Sequence, residues 1–154
     1  MSQNPETTIA NLVYRYAELI DAGDFEAMAE LFADGCVVGP DGETSRGYAE
    51  VLALYRGAAR IYPETGTPCT QHVTTNLIIE LAEDGTRAQA RSYFTVLQAL
   101  EDFPLQVIIA GRYEDEMVLK AGRWQFHRRQ IFPRLAGDLS RHLMVDLQVG
   151  EDRE

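Results

Sequence analysis

An α+β fold is predicted by three features of the 154-residue chain. Helical apolar periodicity is confined to the part before Tyr62, strand-like texture fills most of the rest, and the strand runs are joined by short turn-like segments. Helices first and strands after form two layers. The helices must cover one face of a long, curved antiparallel sheet, because neither layer can bury its apolar side alone.

Residues 6–22, "ETTIANLVYRYAELIDA", place Ile9, Leu12, Val13, Tyr16, Leu19 and Ile20 on one helical face, and Gly23 ends the segment. Asp24 has the chemistry of an N-cap for a second helix, "FEAMAELFA", with Glu26 in its first turn, where the macrodipole favours an acid. "DGCVVGPDGETSRG" reads as a small strand at Cys36 to Val38 and a hairpin. A third helix is expected from about Tyr48 to Ile61, followed by the loop "YPETGTP". Four strands are then expected, at about 69–82, 87–101, 105–119 and 123–132. The joins "EDG", "EDFP" and "KAG" make them a meander of antiparallel hairpins. "GDLSRHL" reads as an Asp138 cap on a short C-terminal helix.

The length suits one domain over 1–154, with an ordered core of about 6–143. A composition of 45% hydrophobic and 25% charged residues, without an apolar run of membrane-spanning length, predicts a soluble globular protein with no membrane partner. The polar start "MSQNPETT" lacks the pattern of a secretory signal, so the expected location is cytoplasmic. A formal charge of −10 argues against sequence-independent nucleic-acid binding and against anionic membrane surfaces, since phosphates would be repelled, and points instead to a small, mostly uncharged, hydrophobic ligand. Cys36 and Cys69 have no CxxC spacing and are expected to be buried thiols. Cys69 and His72 fall on opposite faces of a strand and no other histidine is spaced to join them, so no metal is expected. No nucleotide-binding or nucleophile motif is present either, and no cofactor is expected.

Two residues stand out chemically. Asp21 falls in the last turn of the first helix, where the unpaired carbonyls disfavour a carboxylate. His72 opens an otherwise apolar strand, "TQHVTTNLIIEL", in which strict alternation would put His72, Thr74, Asn76 and Ile78 on one face. If the end of the helix lies over the start of the strand, Asp21 accepts a hydrogen bond from one ring nitrogen, fixes the tautomer and leaves the other nitrogen free as a base. Taken alone, His72 reads better as a strand histidine bonded to a backbone carbonyl, and Asp21 nearly as well as a solvated helix-end residue that helps the turn before Asp24. In the last strand, alternation puts Arg129 on the face of His127, and Arg129 reads also as an ion-pair partner for Asp115 or Glu116.

"RYAELIDAGDFEAMAELFADG", "TQHVTTNLII", "GRYEDE", "GRWQFHRR" and "GDLSRHL", in this order, resemble the SnoaL-like branch of the nuclear transport factor 2-like superfamily over nearly the whole chain. The resemblance implies a cone-shaped barrel of the cystatin-like kind, in which a curved sheet wrapped by N-terminal helices surrounds a pocket. In the relatives scytalone dehydratase and hexachlorocyclohexane dehydrochlorinase an Asp–His dyad is the base, and it maps onto Asp21 and His72. The arginine that assists the leaving group in the dehydrochlorinase maps onto Arg129. Its lysine maps onto Tyr16, a departure that argues against halide elimination. The second histidine of scytalone dehydratase has no counterpart in "SYFTVLQA", where Gln98 is the nearest polar residue.

The function expected is therefore a cofactor-independent lyase or isomerase, dehydratase-like. Asp21 and His72 are its catalytic residues, and Tyr16, Asn76, Arg129 and Gln98 its substrate-binding residues. The alternative is a non-catalytic small-molecule-binding module, or an accessory subunit like the small chain of aromatic-ring dioxygenases. Apolar residues assigned by alternation to the outer sheet face (Val73, Leu77, Ile79, Tyr93) predict a homo-oligomer, dimer or trimer, in either case.

Overall fold

A computed structural model describes residues 3–147 and 149. Its elements are α1 (Pro5–Asp21), α2 (Phe25–Glu30), β1 (Cys36–Val38), β2 (Thr44–Arg46), α3 (Gly47–Ala58), β3 (Thr70–Leu81), β4 (Arg87–Leu100), β5 (Phe103–Lys120) and β6 (Arg123–Ala136). The six strands form one sheet in the order β2-β1-β6-β5-β4-β3. The last four make the expected meander, while β1 runs parallel to β6. The sheet is curved but not closed into a barrel: β2 and β3 are its free edges. No described helix is long and apolar enough to cross a membrane.

Each of the first two helices begins where its sequence provides a cap. Asn4 accepts from the amides of Glu6 and Thr7 at the start of α1, with Pro5 in the first turn, where its missing N–H costs nothing. Asp24 Oδ1 accepts from the Ala27 amide at 3.0 Å to start α2. Between the two helices Gly23 has φ +74°, and a Cβ there would stand 2.2 Å from the Gly66 carbonyl oxygen, so only glycine lets the loop before β3 close on the end of α1. This contact brings Asp21 over the start of β3. The inner face of α1 buries Ile9, Val13, Tyr16, Leu19 and Ile20 against the sheet, with Met28, Phe32, Val37, Val51, Phe94, Ile108, Met117 and Phe126 completing the core.

Bulges bend the sheet and change which residues face inward. In β3 the pairing slips between Thr75 and Ile78, with Asn76 at φ +54°, and the ladder to β4 is interrupted there. Beyond that point Leu77 and Ile79 pack on the core and Ile78 is exposed. This corrects the alternation argument twice: Asn76 is an exposed bulge residue that does not share the face of His72, and Leu77 and Ile79 are not on the outer face. A second bulge at His127, between the pairs Glu116–Arg128 and Met117–Phe126, turns Phe126 and Arg129 inward together and leaves His127 exposed. Arg129 therefore does not share the face of His127.

Smaller differences have similarly local causes. Helix α3 ends at Ala58, and the next residues instead form an isolated bridge, Ala59 to Leu143, with the returning C-terminal segment. That segment is a turn and not a helix: Asp138 Oδ1 accepts from the amide and hydroxyl of Ser140, two residues on, which closes a turn and does not cap a helix. Cys36 is buried as expected, whereas Cys69 is half-buried at φ +56°.

Candidate active site

Asp21, the last residue of α1, meets His72 of β3. Oδ1 of Asp21 lies 2.6 Å from His72 Nδ1 and accepts from Thr70 Oγ1 at 2.9 Å. Oδ2 accepts from the backbone N–H of His72 at 2.7 Å. Three donors thus hold a carboxylate that the helix dipole alone would disfavour, with no basic residue in the last turn of α1 to help. A carboxylate only accepts, so His72 Nδ1 carries the hydrogen, and in the neutral ring the lone pair is on Nε2. Nε2 has no hydrogen-bond partner among the described residues. The His72 side chain is 9% exposed and that of Asp21 20%, which shelters the pair without sealing it. A surface cleft of about 520 Å³ is lined by Ala22 and Gly23, next to Asp21 in the chain, and by Arg56, Ala59 and Met144; neither Asp21 nor His72 lines it.

Deeper in the fold a buried ion pair lies among aromatic rings. Arg129, fully buried, gives Nε and Nη2 to the two carboxylate oxygens of Asp115 at 2.8 Å each. Its guanidinium lies over the rings of Tyr113, at 3.8 Å, and Tyr16, at 4.3 Å. Tyr113 stacks on Phe94, and the Tyr16 and Tyr55 hydroxyls hydrogen-bond to each other. Burial raises the pKa of all three tyrosines, most strongly Tyr55 and Tyr113, so they stay neutral phenols. Burial also opposes the charge of Arg129, but Asp115 and the neighbouring phenols more than offset this and hold it above the usual arginine value. Arg129 is thus paired with Asp115, and with Tyr16 it lies in a closed aromatic cage.

Gln98 of β4 faces inward beside the dyad: it pairs in register with Thr70, the residue that bonds Asp21, and is 1% exposed. Sequence reasoning missed one neighbour, His142. The C-terminal turn carries it back over the fold, where it is 7% exposed and close enough to His72 and Asp21 to feel their charges. Nothing local marks it; long-range contacts of the C-terminal turn, among them the bridge from Leu143 to Ala59, bring it there. Burial, and secondarily His72, pushes its pKa down to about 4 from the ordinary 6.5. The unfolded chain therefore binds the extra proton first. Stability contributed by keeping His142 neutral is complete above pH 6.5 and is lost as the pH falls toward 4, by no more than roughly 3 kcal/mol. Urea melts at pH 4 and pH 7 of the parent and of His142→Phe check this: the pH dependence over that window should shrink in the variant.

The sequence matches the SnoaL-like domain family over residues 4–130. No curated protein matches it. Among solved structures, a protein of Novosphingobium aromaticivorans provisionally described as a scytalone dehydratase superposes with a TM-score of 0.73 at 21% identity, covering 97% of this chain and 94% of that one. A nuclear transport factor 2-like protein with a cystatin-like fold from the same organism gives 0.70 at 23% identity, covering 82% and 80%. A point variant of Rv3472, a protein of unknown function from Mycobacterium tuberculosis, gives 0.68 at 26% identity, covering 84% and 77%.

Proposed function

The chain belongs to the SnoaL-like domain family, and on that premise we propose that it is a cofactor-independent lyase or isomerase whose base is His72. The observation that carries the reading is the 2.6 Å contact between Asp21 and His72 Nδ1, with Nε2 left unbonded. In this reading Nε2 takes a proton from carbon next to a carbonyl of a small hydrophobic compound, and the C–H electron pair moves into the enolate. Asp21 stabilises the imidazolium that forms. In a dehydratase the enolate then expels a β-hydroxyl, which leaves as water with the proton returned; in an isomerase the proton returns to another carbon.

The buried aromatic cage around Arg129 and Asp115 supports a second reading, a binding module or accessory subunit whose interior serves the fold. Both readings include a homo-oligomer, dimer or trimer, because Tyr93, Leu105, Val107 and Leu135 of the β4-β5-β6 region are exposed apolar residues. The two readings separate on a panel of cyclic hydroxy-ketones, enones and halogenated rings, followed for water loss or for deuterium exchange. The catalytic reading expects turnover by the parent and none by His72→Ala. Binding of panel compounds without turnover, unchanged in the variant, would establish the second reading instead.

A further inference from the structure

Two buried polar atoms beside the dyad have no partner among the described residues: Gln98 Oε1 and His142 Nδ1. We propose that they form a hydroxyl-binding subsite of the dyad, so that the compound taken is neutral and carries a hydroxyl group, not a carboxylate or phosphate. This rests on the dyad reading and deepens it by naming the substrate class.

The orientation of the Gln98 amide is dictated by its surroundings. Nε2 donates to the carbonyls of Pro68 and Arg141, both at 3.1 Å. Exchanging oxygen for nitrogen would set an acceptor against two acceptors, so Oε1 is the atom left without a donor. The same contact fixes His142, because its neighbour Arg141 offers its carbonyl to both Gln98 and the Tyr62 hydroxyl. Backbone bonds on the far side complete the hold: the amide of Arg60 donates to the His142 carbonyl at 2.8 Å, and that of Met144 to the Ala58 carbonyl at 2.8 Å. The C-terminal turn is thereby strapped across the end of the sheet where Thr70 and Gln98 pair, with Asp21 bonded to Thr70.

A carbonyl oxygen without a donor asks for an O–H or N–H. A neutral imidazole nitrogen offers a donor or an acceptor according to tautomer, which is what the remaining valences of a hydroxyl require. His142 is held neutral by burial, and a proton taken by His72 would oppose a second positive charge there, so it serves as a hydrogen-bond partner throughout. An anionic group would instead face the Gln98 carbonyl oxygen and the Asp21 carboxylate together, and both repel it.

The test pairs two probes on one ring system, 2-naphthol and 2-naphthoate. The parent is expected to bind the naphthol at least about tenfold more tightly than the naphthoate, as one satisfied buried hydrogen bond supplies. Gln98→Met and His142→Phe should each weaken naphthol binding by about tenfold and leave naphthoate unchanged. His142→Asn keeps a polar atom where Nδ1 stands and should hold naphthol within about threefold of the parent; it carries the test if Gln98→Met loosens the strap and lowers Tm. Equal affinity for the two probes, no naphthol binding by the parent, or naphthol affinity unmoved by His142→Phe would overturn the subsite. His72→Ala should keep naphthol binding within about threefold while losing turnover, so failure of the subsite and failure of the dyad give different results.

Discussion

Asp21→Asn is expected to lower turnover by about 10² to 10⁴-fold, in the range of a lost general base, without a matching loss of ligand affinity. The carboxylate accepts from three donors through two oxygens: the Thr70 hydroxyl and His72 Nδ1 at Oδ1, and the His72 amide at Oδ2. Asparagine has one acceptor oxygen. If its NH2 faces the His72 amide, two donors oppose each other and the end of α1 shifts. If it faces the ring, Nδ1 must accept, the hydrogen moves to Nε2, and the base is lost. Neither choice preserves the arrangement. Steady-state kinetics on the panel compound that the parent turns over, with Tm measured in parallel, separates lost chemistry from lost fold.

Asp115→Ala is expected to destabilise the protein by about 3–5 kcal/mol, because it leaves the Arg129 charge buried and unpaired. Both side chains are 0% exposed, and the guanidinium sits against the rings of Tyr16 and Tyr113, away from bulk solvent. The double variant Asp115→Leu, Arg129→Met removes both charges at similar volume and should recover most of the loss, as apolar replacements of whole buried pairs do. Urea denaturation of the single and double variants measures both. The consequence reaches the dyad, since Tyr16 rests on Arg129 and Asp21 lies five residues further along the same helix.

The helices, the meander and the contact between Asp21 and His72 were legible in the sequence for different reasons. Apolar spacing in α1 and the short joins between strands are local signals, and the structure follows them closely. The meeting of Asp21 with His72 is not local; a resemblance carried it, and the oddity of an acid at a helix C-terminus supported it. What failed was period-2 reasoning across bulges. Alternation assumes an unbroken ladder, and an irregularity at Asn76 or His127 reverses every assignment after it. Asn76 offered a hint, since asparagine tolerates positive φ better than the apolar residues that follow it. His127 offered none. His142 was illegible for another reason: its position depends on a strap to Ala58, Arg60 and Tyr62 and to Gln98, two places in the chain that are both far from it and that no sequence pattern links to it.

The arrangement of protons on His72 tests the proposed base most directly. Nitrogen-15 NMR of the imidazole at neutral pH, with Asp21→Asn as the control, distinguishes a protonated ring nitrogen from one bearing a lone pair. Hydrogen on Nδ1 and a lone pair on Nε2 are expected in the parent, changed by the substitution. Hydrogen resting on Nε2 in the parent, or a spectrum that Asp21→Asn leaves untouched, would mean that Asp21 does not set the tautomer and that His72 is not the base.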